Sequence, residues 1–233
     1  MTTHVKTEEL TIQQIESYVG SEYPLVYLYT SEEQKTLDMI KCVAIEMDKG
    51  LIFTFDAAAG LQCWYGANEE QVAKHRDEIK LKPRSDIKRA SDYITNHLLD
   101  CAAFVVLLDP HHLFQDSGAI RIVKNLINKI SQEELNITIF AISPVLIIPA
   151  EIEKETVLID IPWPTKQEIS EILDAIVIKR GTNPLPPLRN KFVEALSGLT
   201  AAEVKHLILY CLSTDNNKNI LVEHDVGELT PSV

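Results

Sequence analysis

The residues best placed to do chemistry follow an apolar run, Leu25 to Tyr29, that reads as a strand. They are Thr30-Ser31-Glu32-Glu33-Gln34-Lys35-Thr36. A lysine followed by threonine after a strand is how a triphosphate-binding loop ends, in the pattern G-x-x-x-x-G-K-[ST]. Its glycines let backbone N–H groups crowd the phosphate, and its lysine reaches the terminal oxygens. Here no glycine occurs between Gly20 and Gly50. With a helix beginning near Ser31, Lys35 and Thr36 lie beyond the first turn. The first-turn N–H groups are then capped by Thr30 or Ser31, with Glu33 or Gln34 closing a capping box. Glu32 and Glu33 would meet a triphosphate with like charge, at about 1 to 4 kcal/mol per close pair.

A second set follows the apolar run Val105 to Leu108, where Asp109 is succeeded by Pro110-His111-His112. Asp109 could hold a Mg²⁺ ion, but hydrolysis also needs a carboxylate to polarise the attacking water, and Pro110 occupies its expected position. The other reading of Asp109 is a turn before the proline. Ser143, just past a later strand and before Pro144, is either a polar sensor of a bound group or a turn residue. His111 and His112 are adjacent, and on an extended segment they point apart, so no metal site is expected of them. No G-x-S-x-G elbow is present, so no catalytic residue is assigned.

Two surface features remain. Trp64-Tyr65-Gly66 reads as a loop after a strand, either a hold on an extended polypeptide or a packed anchor. Lys74, Arg76, Lys80, Lys82, Arg84, Lys88 and Arg89 outnumber three acidic residues between positions 74 and 89, a local +4. Such a patch fits a phosphate backbone, an acidic partner or plain solvation. Cys42, Cys63, Cys101 and Cys211 are scattered among apolar residues without a C-x-x-C pair, as buried thiols would be, so neither a disulfide nor a zinc site is expected.

The elements that must position these residues alternate strand and helix. A helix at Thr11 to Val19 is followed by the strand Leu25 to Tyr29 and a helix from Glu32 to Lys49. Leu51 to Phe55 is a second strand, and a polar excursion then runs to about Arg84. After it come a helix with Ile87, Ala90, Ile94 and Leu98 inward, the strand Phe104 to Leu108, a helix at Ala119 to Ile130, and the strands Ile137 to Ile142 and Val157 to Ile161. The pattern predicts an α/β fold, a five-stranded parallel sheet flanked by helices over residues 1–162. From Pro162-Trp163-Pro164 the chain turns helical, at Thr165 to Lys179, Leu188 to Leu196 and Thr200 to Leu212. Capping boxes at Thr165/Glu168 and Thr200/Glu203 mark two of the starts. This predicts a small helical lid over 163–213 and a polar tail over 214–233.

With 45% hydrophobic residues the chain can bury a sizeable core, and its formal charge of -12 argues against general affinity for nucleic acid or anionic membrane. Without a leader-like N-terminus or a long apolar span, the expected compartment is the cytoplasm.

Short motifs add a resemblance. Ser21 to Glu33 resembles the "YPLIY-x-x-T-x-E-E" opening of the family named for hypothetical chloroplast reading frame forty-six. Phe55 to Leu61 is similar to its aromatic strand and "GL" element, and Leu107 to Phe114 to its altered third strand. Val145 to Ile152 resembles its "IPxELE" segment, Asp160 to Pro164 its lid entry, and Ser197 to Glu203 its "GLTxxE" helix start. The likeness covers roughly residues 8–212. In that family this segment is a degenerate AAA domain preceding an intact one, so the sequence reads as part of a tandem protein or as a stand-alone relative.

The resemblance implies a nucleotide-binding fold of the AAA+ type without hydrolysis, acting as a scaffold or regulatory module on an adjacent or partner AAA+ ATPase domain, in an oligomer in some settings. It also tells where arginines should stand, a finger near the fourth strand and a sensor in the lid. Between Ile122 and Lys179 there is no arginine, and none follows Arg189. No cofactor is then expected. Two alternatives stay open. One is a divergent ATP–Mg²⁺ site around Lys35, Thr36, Asp109 and Ser143. The other is a clamp-loader-like subunit meeting nucleic acid through the basic patch.

Overall fold

The computed structural model describes residues 7–81, 86–180 and 186–214. They fall into two compact units that divide between Ile161 and Pro162.

The first unit runs α1 (Thr7–Gly20), β1 (Leu25–Tyr29), α2 (Glu33–Glu46), β2 (Leu51–Asp56), β3 (Gly60–Gly66), α3 (Glu69–Leu81), α4 (Ile87–His97), β4 (Ala103–Leu108), α5 (Ser117–Gln132), β5 (Ile137–Ser143) and β6 (Thr156–Asp160). The strands form one six-stranded sheet in the order β3-β2-β4-β5-β1-β6. The five expected strands pair in parallel. A sixth, β3, lies within the segment expected to be a polar excursion; it pairs antiparallel with β2 and closes that edge.

The hairpin is made locally. Asp56 Oδ1 accepts from the Ala58 and Ala59 N–H groups at 2.7 and 2.6 Å, and Gly60 takes φ 72°, which a side chain would resist. Leu61 and Cys63 then turn inward while Gln62 faces solvent, the period of two that a half-buried strand needs. Helix α3 also lay in the expected excursion. Its inner face is Val72, His75 and Ile79, and a histidine in the middle of the stripe hides the helical period.

Strand residues alternate between two helical layers. Leu25 and Tyr27 join α3, α4 and α5 on one face of the sheet; Val26 and Leu28 join α1 and α2 on the other. Each fully buried Leu, Ile or Phe contributes about 1.5–3 kcal/mol. Phe104 and Phe140 meet edge to face across β4 and β5, with ring centroids 5.0 Å apart. The thiols divide: Cys63 and Cys211 are buried, Cys101 is half-buried and Cys42 is exposed, so the expectation of four buried thiols fails at the surface of α2.

At the N-terminal ends of the parallel strands, three helix-to-strand turns pass through the left-handed region without glycine, at Glu22 (φ 60°), Asp48 (φ 53°) and Glu134 (φ 52°). Beside them Lys49, only 8% exposed, donates to the Asn136 carbonyl at 3.4 Å and to the Asn136 side-chain oxygen, tying the α2–β2 turn to the start of β5. Burial lowers the pKa of this amine.

The second unit holds α6 (Lys166–Arg180), α7 (Pro186–Ala195) and α8 (Ala201–Thr214) around Ile169, Leu173, Phe192, Leu196, Val204 and Ile208. Both capping boxes form. Glu168 N–H donates to Thr165 Oγ1 at 3.2 Å while Thr165 N–H donates to Glu168 Oε2 at 2.6 Å. Thr200 and Glu203 repeat the exchange at 3.2 and 2.9 Å. Arg189 bridges α7 to α6 through Asp174 at 2.5 Å. The expected tail, 214–233, lies outside the described residues apart from Thr214. No helix among the described residues is long and apolar enough to cross a membrane.

Candidate functional site

In open parallel sheets the carboxyl ends of the strands form the ligand-binding edge. Here that edge carries Tyr29, Asp56, Asp109 and Ser143 with the N-terminus of α2. Its backbone is stitched by Thr30 N–H donating to the Ser143 carbonyl at 3.0 Å and Asp109 N–H to the Ile142 carbonyl at 2.9 Å.

The start of α2 differs from the expected capping box. The helix begins at Glu33, Glu32 stands at the cap position, and its side chain makes no capping bond. Thr30 Oγ1 instead accepts from Glu32 N–H at 3.0 Å, one residue short of the helix. The later start brings Lys35 into the first turn rather than beyond it. Its ammonium lies 3.6 Å from Glu32 Oε2. Thr36 is buried, and its hydroxyl donates to the Glu32 carbonyl at 2.8 Å, a bond that turns it inward.

Three carboxylates gather at the same end. The Glu33 carboxyl is pushed above its ordinary range, first by burial and then by Asp109 and Asp56. Asp109 itself holds φ 48°, so the chain reverses there before Pro110. A Mg²⁺-triphosphate needs a glycine cradle and cationic partners. These residues offer neither, because the loop has no glycine and its lysine already faces Glu32, and so they do not fit that group.

Asp109 and Ser143 are brought together by His111, a residue whose partnership was not legible in the sequence. His111 Nδ1 lies 2.8 Å from Ser143 Oγ and 3.8 Å from Asp109 Oδ1. The order Asp-His-Ser resembles a nucleophilic triad, but both contacts use the same ring nitrogen, whereas a relay needs one on each. Ser143 is fully buried. Its hydroxyl donates to the Val145 carbonyl at 2.9 Å and accepts from Val145 N–H at 3.1 Å, which are satisfied together when His111 carries its proton on Nδ1. Tyr27, also fully buried, donates to the same Val145 carbonyl at 2.6 Å. Ser143 and Tyr27 thus hold the strand-to-loop corner after β5. The rings of His111 and His112 lie 3.9 Å apart rather than on opposite sides.

Trp64, Tyr65 and Gly66 are the end of strand β3, not a loop. Arg76 of α3 pins them: Nε donates to the Cys63 carbonyl at 3.1 Å and a terminal nitrogen to that of Trp64 at 3.3 Å. Lys41 rests over the Tyr65 ring, 4.6 Å from its centroid. Three of the basic residues are engaged locally. Arg76 serves β3, Lys80 lies 3.9 Å from Asp77, and Arg89 pairs with Asp86 at 3.3 Å. Lys74 lies on α3 and Lys88 on α4, and Lys82 and Arg84 lie outside the described residues.

The fold, together with the family match given below, places the chain in the class of AAA+ ATPase-like domains. Its likeness to a chain of the HORMA:CdnC:Trip13 complex of E. coli MS115-1 has a TM-score of 0.66 at 12% identity, covering 98% of this chain and 89% of that one. The structure of C. elegans PCH-2 matches with a TM-score of 0.60 at 11% identity, over 95% of this chain and 67% of that one. The chain belongs to the family of SpoVK-like AAA ATPase N-terminal domains, whose model matches residues 11–161. It is also similar to the AAA domain-containing protein ycf46 of Guillardia theta, 20% identical over 200 residues. That match covers 86% of this chain but 37% of the relative's length.

Proposed function

We propose that this domain is a non-hydrolysing AAA+ module that serves as a scaffold or regulatory docking surface for an AAA+ ATPase domain, in its own chain or in a partner. One observation carries the reading. The N-terminus of α2, where a phosphate would sit, has no glycine cradle and is ringed by Glu33, Asp56 and Asp109. Each close anion pair opposes a triphosphate by about 1 to 4 kcal/mol, enough to offset what backbone N–H groups alone could provide. The absence of arginine from 122 to 179 and beyond 189 supports it, because developing charge on a transferred phosphoryl group would have no finger. The Guillardia theta relative, of which the matched stretch is 37%, is long enough to carry an ATPase domain besides. The module works without bound ATP or Mg²⁺, in the cytoplasm or the stroma.

Isothermal titration with ATP and Mg²⁺, with a phosphate-release assay, tests this. Heats indistinguishable from dilution and no turnover are expected; micromolar binding or sustained phosphate release would overturn it. A second reading, divergent nucleotide binding, draws on one observation, that Lys35 stands in the first turn of α2. It requires Lys35→Ala and Asp109→Ala each to weaken binding, and unchanged binding removes it.

A further inference from the structure

Away from the strand ends, a cavity of about 510 Å³ opens between β3 and α3. That volume falls in the range of small-molecule sites, roughly 300–1,000 Å³. Its apolar wall is Leu61, Cys63 and Ile79, Trp64 borders it while the Trp64 indole packs toward the α1–α2 face of the sheet, and its charged residues are Arg76 and Lys80. No carboxylate lines it, in a protein where 34 Asp and Glu outnumber 22 Lys and Arg. The local sign is therefore opposite to that of the whole chain.

The cation is held in place before any ligand arrives. A guanidinium has five N–H donors in a rigid fork, and the bonds from Arg76 to the Cys63 and Trp64 carbonyls fix its plane while leaving donors for an incoming anion. Those same bonds occupy outward carbonyls of the edge strand, at the bulge between Ile52 and Phe53. A peptide could not pair its backbone there, which disfavours strand addition and favours a compact ligand. Burial pushes the Cys63 thiol up to about 11, so this wall is neutral and unreactive and the site is one of binding.

We propose that this cavity binds a small amphiphilic anion, a carboxylate resting on Arg76 and Lys80 with its acyl or aryl body against Leu61, Cys63 and Ile79. The site is independent of the proposed docking role.

Trp64, at the rim of the cavity and joined to Arg76 through its carbonyl, serves as the reporter. The chain has two tryptophans, and Trp163→Phe leaves Trp64 alone. In that background, decanoate below its micellar concentration is titrated while Trp64 emission is followed, with decyltrimethylammonium as the cationic control carrying the same tail. A saturable change with decanoate is expected, with the cationic amphiphile weaker by roughly tenfold, the equivalent of one unfavourable charge contact. Lys80→Glu keeps the fold, since its ammonium is exposed and only 3.9 Å from Asp77 in a surface pair. It should weaken decanoate by roughly fivefold or more. Equal responses to both amphiphiles, no saturable response, or an unchanged affinity in Lys80→Glu would each overturn the proposal.

Discussion

Gly66→Ala isolates what the end of β3 does. A Cβ built at Gly66 would lie 2.3 Å from Val72 Cγ2, 3.0 Å from Leu51 Cδ2 and 3.3 Å from the Gly50 carbonyl. Gly66 is outside the left-handed region, so the restriction is one of space alone. Val72 is buried and β-branched, with a single favoured rotamer on a helix, so its methyl cannot swing aside; α3 must move off the edge strand. Overpacking of this kind costs about 1–3 kcal/mol, and the narrower unfolded chain returns about 0.4–1; the middle of these ranges leaves a net loss of about 1–2 kcal/mol. For a unit of this size that lowers Tm by about 2–8 °C. The assay is urea and thermal unfolding followed by Trp64 emission in the Trp163→Phe background, which reports on the first unit. In a double-mutant cycle, Val72→Ala vacates the contested space, so Gly66→Ala should be nearly neutral there. Costs that add to within about 0.5 kcal/mol would refute the packing argument, and so would a neutral Gly66→Ala on its own. A polypeptide-gripping role for Gly66 requires the reverse, altered handling of a substrate chain at unchanged stability.

Other outcomes follow from the titrating and hydrogen-bonded groups. The Glu33 carboxyl binds its proton more tightly folded than unfolded, so stability is lost as pH rises from 4.5 through its raised folded value. Glu33→Gln should raise the unfolding free energy from urea titration at pH 7 by roughly 0.2–1 kcal/mol, a scale set by its exposure, and leave it unchanged below pH 4.5. A larger gain in acid than at neutrality would reverse the assigned sign. His75 moves the other way: burial lowers its pKa, Lys74 and His97 add to the shift, and Glu78 opposes it. The folded state therefore resists the proton, and stability should fall as pH drops below 6.5 toward the lowered folded value, with a flatter profile in His75→Gln. Tyr27→Phe removes the bond to the Val145 carbonyl from a fully buried site and should cost about 1–3 kcal/mol by denaturant unfolding.

The sequence was most legible where a signal is short-range and unopposed. Thr165 with Glu168, and Thr200 with Glu203, satisfy their own helix starts within four residues, and both boxes form. The five expected parallel strands are short, largely apolar runs, broken only by Thr54, Thr138 and Asp160, as suits a sheet with helices on both faces. What escaped depended on partners distant in sequence. β3 is a strand because β2 lies beside it and Arg76 holds its outer carbonyls. α3 hides its stripe behind His75, which is buried because Tyr93 meets its Nδ1 at 2.8 Å. The cap of α2 failed because Thr30 spends its hydroxyl oxygen on Glu32 N–H, one residue before the helix. Asp109 and Ser143 were singled out separately, while His111, which joins them, carries no spacing signal.

The three left-handed turns have a further consequence. Glu22, Asp48 and Glu134 are exposed carboxylates at one end of the sheet, where the carbonyl ends of α1, α2 and α5 already concentrate negative potential. Glu33, Asp56 and Asp109 make the opposite end negative as well. Two such sheet ends brought together therefore repel, whichever ends they are. The repulsion acts within about 8 Å at physiological ionic strength and fades as salt shortens that distance. Any self-association of the first unit through these ends should therefore strengthen with salt rather than weaken.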